Sequence, residues 1–159
     1  MDKNNFDVLI LLSGGLDSTA CVHYYRDLNF KIKLIFVDYG QNASQMEFNS
    51  ASNISDYYGI KLDYIKFSSA QKYSDGEIRG RNAFLVMAVL LAYPTANGLI
   101  SIGIHSGTFY YDCSESFVKK INSILCDYTN GQLILDTPFL KWDKKMIFNY
   151  CRGHNLEIQ

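Results

Sequence analysis

Six consecutive residues, Ser13-Gly14-Gly15-Leu16-Asp17-Ser18, carry the chain's strongest chemical pattern. Two adjacent glycines let backbone approach a bound anion closely, and Ser13 and Ser18 offer hydroxyl donors. A helix starting there aims free N–H groups and the positive end of its dipole at the same point. The pattern therefore describes an anion cradle. It is not a Walker A loop, because the G-x-x-x-x-G-K-[ST] spacing and its lysine are missing. Asp17 is out of place beside a phosphate unless a cation intervenes, which points to Mg²⁺ bridging a pyrophosphate. A plain Gly-Gly turn with Asp17 or Ser18 as a helix cap is the competing account.

The surrounding elements suit such a loop. Residues 8–12 form a continuous apolar run, as expected of a strand buried on both faces in a parallel sheet. A helix follows to about Leu28, with Ala20, Cys21, Tyr24 and Leu28 at helical spacing. Further strands are predicted over 31–38, 61–67, 99–104 and 133–135. Further helices are predicted over 45–58 (with Gly59 as its stop), 82–93, 115–128 and 144–152 (with Gly153 as its stop). In the helix over 115–128, Phe117, Ile121, Ile124 and Leu125 should face inward. Residues 68–80 are polar and aperiodic and read as a surface loop. The alternation of strands and helices predicts one domain, 1–159, an α/β three-layer sandwich on a mostly parallel five-stranded sheet, Rossmann-like and doubly wound.

Composition narrows the partners. With 15 Lys plus Arg against 16 Asp plus Glu, the net charge of −1 argues against duplex nucleic acid as a partner. The longest apolar stretch, 83–93, is too short to span a membrane, and residues 1–12 lack a signal-peptide pattern, so a cytoplasmic protein is expected. Cys21, Cys113, Cys126 and Cys151 form no C-x-x-C pair. Cys21 reads as a core residue, and Cys113, in a loop, is a weak candidate nucleophile. His105 follows a strand and either faces the cleft or is an ordinary loop histidine; His23 and His154 have no partner pattern.

The loop after the first strand resembles the PP-loop of the ATP pyrophosphatase superfamily. Downstream stretches narrow the resemblance to the 7-cyano-7-deazaguanine synthase family: Asp38-Tyr39-Gly40-Gln41 with Ser44 and Glu47 following, Gly80-Arg81-Asn82 opening an apolar helix, Ile102-Gly103, Tyr111-Asp112-Cys113 with Phe117-Val118, and Thr137-Pro138 with Lys144. These run in family order over residues 8 to about 150.

The resemblance implies an ATP-dependent carbon–nitrogen ligase. It adenylates the carboxylate of 7-carboxy-7-deazaguanine, releases pyrophosphate, and uses ammonia to build the amide that becomes the nitrile. Ser13, Gly14, Gly15, Leu16, Asp17 and Ser18 would hold the pyrophosphate, with Asp17 on Mg²⁺. Asp38, Tyr39 and Gln41 would lie by the ATP base and sugar. Arg81, Asn82, Gly103 and Asp112 would meet the acceptor, and Asp17, Ser18 and Lys144 would carry catalysis. Each has a plainer alternative: an Asx turn for Asp38, packing for Tyr39, a surface Arg and a helix cap for Arg81 and Asn82, a capping acid for Asp112, and a solvated Lys beside Lys145 for Lys144.

Some departures matter. The family's zinc-binding cysteine cluster lies beyond the point where this chain stops, and the four cysteines here cannot supply it, so zinc is not expected; the chain is either a shortened homologue or a fragment. Arg79 stands where the family has proline, and the segments at 68–79 and 104–111 are short. Two alternatives follow: a homologue joining the activated deazaguanine to a protein amine, as in phage defence, or a nucleotide-binding module without turnover. A homodimer is a possible assembly.

Overall fold

The computed structural model describes residues 6–68, 73, 76–154 and 156. Parts of two sequence expectations, the polar N-terminus at 1–5 and most of the first half of the loop at 68–80, lie outside the described residues.

The elements run β1 (Val8–Leu11), α1 (Leu16–Asp27), β2 (Ile32–Asp38), α2 (Ser44–Tyr58), β3 (Leu62–Lys66), α3 (Arg81–Ala92), β4 (Gly98–Ile102), a 3₁₀ turn (Tyr111–Cys113), α4 (Glu115–Thr129), β5 (Leu133–Asp136) and α5 (Lys144–Gly153). The five strands form one sheet in the order β3-β2-β1-β4-β5, and each neighbouring pair is parallel. This is the expected three-layer, doubly wound α/β fold.

The apolar run of β1 is explained by its place at the centre of the sheet. Leu9 and Leu11 face a core completed by Val86 and Val89 of α3 and Phe117, Ile121 and Leu125 of α4. Val8, Ile10 and Leu12 face the opposite core, with Ala20, Cys21 and Tyr25 of α1, Ala51 of α2 and Ile147 and Cys151 of α5. Residues buried on both sides of a strand cannot alternate with polar ones, and each such Leu, Ile or Val contributes about 1.5–3 kcal/mol.

Several local expectations are corrected. The N-cap position of α1 is Gly15, and no side chain caps it. Asp17 and Ser18 lie inside the first turn, and the Ser18 hydroxyl donates to Gly15 O at 3.0 Å instead of accepting a helix N–H. Tyr25 fills the core while Tyr24 is half-buried, and Leu28 is exposed because α1 ends one residue earlier. On α4 the inward stripe is Phe117, Ile121 and Leu125; Ile124 falls beside it and is exposed. α5 extends through Gly153 and stops at His154. Gly59 ends α2 in the left-handed conformation, as expected.

Candidate functional site

The sheet's strand order reverses between β1 and β4, since β2 lies on one side of β1 and β4 on the other. The diverging loops there open a crevice at the C-terminal strand ends, the usual ligand position in open α/β sheets. Here the ends of β1, β2 and β4 border a cleft of about 270 Å³. Most of the proposed site residues from the loop after β1 line it, as do Tyr39, Gln41, Arg81, Asn82, Gly103 and Lys144.

Backbone geometry shapes the loop after β1. Gly14 has φ +80°, and a Cβ there would stand 2.5 Å from Ser50 Cβ and 2.8 Å from Ala51 N of α2. Only glycine permits both the conformation and this approach to α2. Across the cleft, a Cβ on Gly103 would lie 2.6 Å from Asp17 C and 2.7 Å from Ser18 N. The end of β4 is thereby pressed against the start of α1, so Gly103 acts through close packing. Ser18 is buried; its Oγ accepts from Ser13 N at 3.3 Å and lies 3.2 Å from Ser13 Oγ. Ser18 thus braces the loop, while Ser13 and Gly15 are exposed at its lip. With no side-chain cap on α1, its first N–H groups remain available to an anion.

The cation required by Asp17 is present as a side chain. Lys144 Nζ, at the first residue of α5, lies 2.8 and 2.7 Å from the two Asp17 carboxylate oxygens. His105 Nε2 stands 3.7 Å from Asp17 Oδ2. His105 Nδ1 accepts from Gly107 N at 3.1 Å, which places the proton of the neutral ring on Nε2, toward Asp17. His105 therefore faces this group. Asp17, Lys144 and His105 form a polar cluster beside the cradle, joining α1, α5 and the loop after β4.

The residues after β2 are spent mainly on one another. Asp38 Oδ1 accepts from Gly40 N at 3.0 Å and Oδ2 accepts from Tyr64 Oη at 2.6 Å. The Tyr64 hydroxyl, the Gly40 N–H and more distant Lys66 hold the Asp38 carboxyl below its usual range despite its burial. Asp38 does not line the cleft; it borders a shallow recess beside α2. The Asx turn of the plainer alternative is what forms. Gln41 is likewise engaged: Oε1 accepts from Tyr39 N at 2.9 Å, and Nε2 donates to Val37 O at 3.2 Å and Glu47 Oε2 at 2.9 Å. It still lines the cleft, as do Glu47 and the half-buried Tyr39. Burial raises the Tyr39 hydroxyl, with Arg81 opposing the rise.

Arg81 and Asn82 open α3 after Gly80, which has φ +78°. Asn82 is buried, and its Nδ2 donates to Asp112 O at 3.1 Å while its backbone N donates to Asp112 Oδ2 at 3.3 Å. Asp112 is therefore a clamp on the start of α3 and is not among the residues lining the cleft. Ser114, not Asp112, caps α4 by accepting from Phe117 N at 3.2 Å. Cys113 is buried, which raises its thiol and keeps it protonated. Arg81 lines the cleft and supplies the planar donor fork suited to a phosphate or carboxylate.

The donor set fits a nucleotide phosphate chain: a glycine-shaped loop, an uncapped helix start, and Arg81 and Lys144. Asp17 is the residue that would hold Mg²⁺, which usually takes one or two carboxylates together with phosphate oxygens and water. The sequence gives no role to Glu47 or His105. Glu47 carried only a spacing signal, and His105 only its position after a strand; neither reveals which way a side chain turns.

A sequence model of the queuosine biosynthesis protein QueC family matches residues 7–77 and 69–159. The 7-cyano-7-deazaguanine synthase of Buchnera aphidicola subsp. Schizaphis graminum is 28% identical over 167 residues, covering 89% of this chain and 72% of that protein. The solved U34-tRNA thiolase NcsA of Methanococcus maripaludis is 13% identical with a TM-score of 0.63, covering 99% of this chain and 60% of its own. An NH₃-dependent NAD synthetase of Campylobacter jejuni is 15% identical with a TM-score of 0.58, covering 98% of this chain and 67% of its own. These two likenesses are of fold. With a glycine-shaped loop at the switch point and family motifs from end to end, the chain belongs to the queuosine biosynthesis protein QueC family.

Proposed function

We infer that the chain, acting as one nucleotide-binding domain over 1–159, binds ATP in the cleft and activates a carboxylate by adenylation, with pyrophosphate as the leaving group. Its substrate is 7-carboxy-7-deazaguanine, and ammonia completes the amide on the way to 7-cyano-7-deazaguanine. One observation carries the reading: the loop after β1, packed at Gly14 against α2 and met by Gly103 at the start of α1, lines together with Arg81 a cleft at the sheet's switch point. The names of the curated relatives supply the substrate class.

In this reading the first N–H groups of α1 and the loop backbone hold the phosphate chain. Arg81 and Lys144 neutralise its charge, and Ser18 keeps the loop in shape without touching the reacting atoms. Mg²⁺ held at Asp17 supplies charge neutralisation of the pyrophosphate leaving group when bound. Lys144 then moves from Asp17 toward the phosphates. Positioning and electrostatics supply most of the rate.

The test is pyrophosphate release with ATP, Mg²⁺ and 7-carboxy-7-deazaguanine, with the product identified by mass spectrometry. Nitrile or amide supports the reading. A protein conjugate shifts the acceptor to an amine of another protein. No release with any amine leaves nucleotide binding without turnover and overturns the ligase. Asp17→Ala should reduce turnover by at least about 100-fold if this carboxylate holds the metal; retained turnover removes Asp17 from that role.

A further inference from the structure

The cleft occupies the N-terminal ends of α1 and α5. The far ends of the same two helices meet at another group of side chains. His23 and Asp27 lie one turn apart on α1, and His154 is the C-cap of α5. One ligand atom from each of these residues falls within 4.8 Å of the other two. The two imidazole centroids are 4.4 Å apart, with the Tyr150 ring beside both at 5.8 and 4.7 Å.

This geometry differs from that of an ordinary histidine–carboxylate contact. His23 Nε2 is buried without a hydrogen-bond partner, although Asp27 Oδ2 stands only 3.3 Å away. A charge-assisted hydrogen bond would close to about 2.7–2.9 Å. Bonds of about 2.0–2.1 Å from a tetrahedral ion instead set neighbouring ligand atoms about 3.3 Å apart. The His23–Asp27 separation matches one such edge, and a ligand atom of His154 lies within 4.8 Å of both. The other nitrogen of His23, Nδ1, lies 3.5 Å from Tyr58 Oη, where ligating histidines usually meet an outer partner. His154 and Asp27 are exposed, so an ion has a path in and a free position for water.

We propose that His23, Asp27 and His154 bind a divalent transition metal of the zinc class, with water as the fourth ligand. Two imidazoles and one carboxylate are the donor types that suit such an ion. The bound ion staples the end of α5 to α1. The two helices are then tied at both ends, by Asp17 with Lys144 at the cleft and by the ion at the far end. The inference is independent of the nucleotide reading and concerns different residues.

The experiment uses the full chain carrying Cys126→Ser, which removes the exposed thiol, after treatment with chelator. Co²⁺ and Zn²⁺ are titrated separately. The expected result is saturation at one equivalent, visible absorption of four- or five-coordinate Co²⁺, and a higher melting temperature with Zn²⁺. His154→Ala and Asp27→Asn lie on the surface and leave the fold intact; each should weaken binding at least about 10-fold. Pyrophosphate release by these variants is an independent readout and can survive the loss of metal binding. Absence of saturable binding, or unchanged affinity in both variants, overturns the proposal.

Discussion

The two walls of the cleft are built on different principles. On the β1–α1 side, backbone does the work: Gly14 and Gly103 allow approaches that a single methyl group would block, and the start of α1 is left uncapped. Around the rest of the cleft, the loops after β2 and before α4 are held from behind by polar side chains bonded to one another, Asp38 with Tyr64 and Gly40, Gln41 with Glu47, and Asp112 with Asn82. The first wall presents donors to the cleft. The second spends much of its polar equipment on its own shape and presents mainly Tyr39 and Arg81. A site residue's type therefore says less about contact with a ligand than whether its hydrogen bonds are already used.

Substitutions should separate the two walls. Gly14→Ala combines a left-handed φ with a 2.5 Å clash against α2, and it should cost about 2–4 kcal/mol and abolish nucleotide binding. Thermal denaturation and nucleotide titration check it; a stable variant that still binds nucleotide would mean that the loop is not shaped by this contact.

Tyr64→Phe strikes the other wall. It removes the main partner that lowers the Asp38 carboxyl and should cost about 1–2 kcal/mol near neutral pH. The sign with pH follows from linkage. A depressed carboxyl stabilises the fold above its unfolded pKa of about 3.9, and this contribution is lost as pH falls through the lower folded value. Denaturant midpoints should therefore converge for the two proteins as the pH is lowered through the carboxylate range. A constant gap would show that the Tyr64–Asp38 bond contributes through packing instead.

Lys144→Ala should cost at most about 1 kcal/mol, because the Lys144 side chain is largely exposed, yet it should weaken nucleotide binding. Chemical denaturation and nucleotide titration on the same preparation check the split. Gly15→Ala is the smallest change. Its φ of −79° suits any residue, and the nearest atom to an added Cβ is Ser13 Oγ at 3.6 Å, so stability should shift by less than about 1 kcal/mol. Comparable melting temperatures for Gly14→Ala and Gly15→Ala would erase the distinction between a packed and an open glycine in this loop.

The elements and their order were legible because a strand buried on both faces must read as an unbroken apolar run, and an outer helix must show a stripe. Errors fell where neighbouring positions compete. Tyr24 and Tyr25 differ by one position on α1, and the choice was made by the depth of the core beneath β4 and β5, where Tyr25 also donates to Asp136. Ile124, expected inward together with Leu125, lies at the edge of the α4 stripe and is exposed. In the site, the glycine loop was legible because glycine's role is conformational and local. The clamp between Asp112 and Asn82, 30 residues apart, was not.

By itself the sequence determined the α/β class, the glycine-shaped loop after β1 and the family. These rest on local constraints, such as strand burial, backbone freedom and helix starts, which act over a few residues. Only the tertiary structure decided that Lys144 stands against Asp17, that His105 turns toward them, and that Asp38 borders a recess outside the cleft. It also brought His23 and His154 together across 131 positions. Such pairings depend on how helices from distant parts of the chain are laid on the sheet, and no short-range pattern encodes the direction in which a side chain then points.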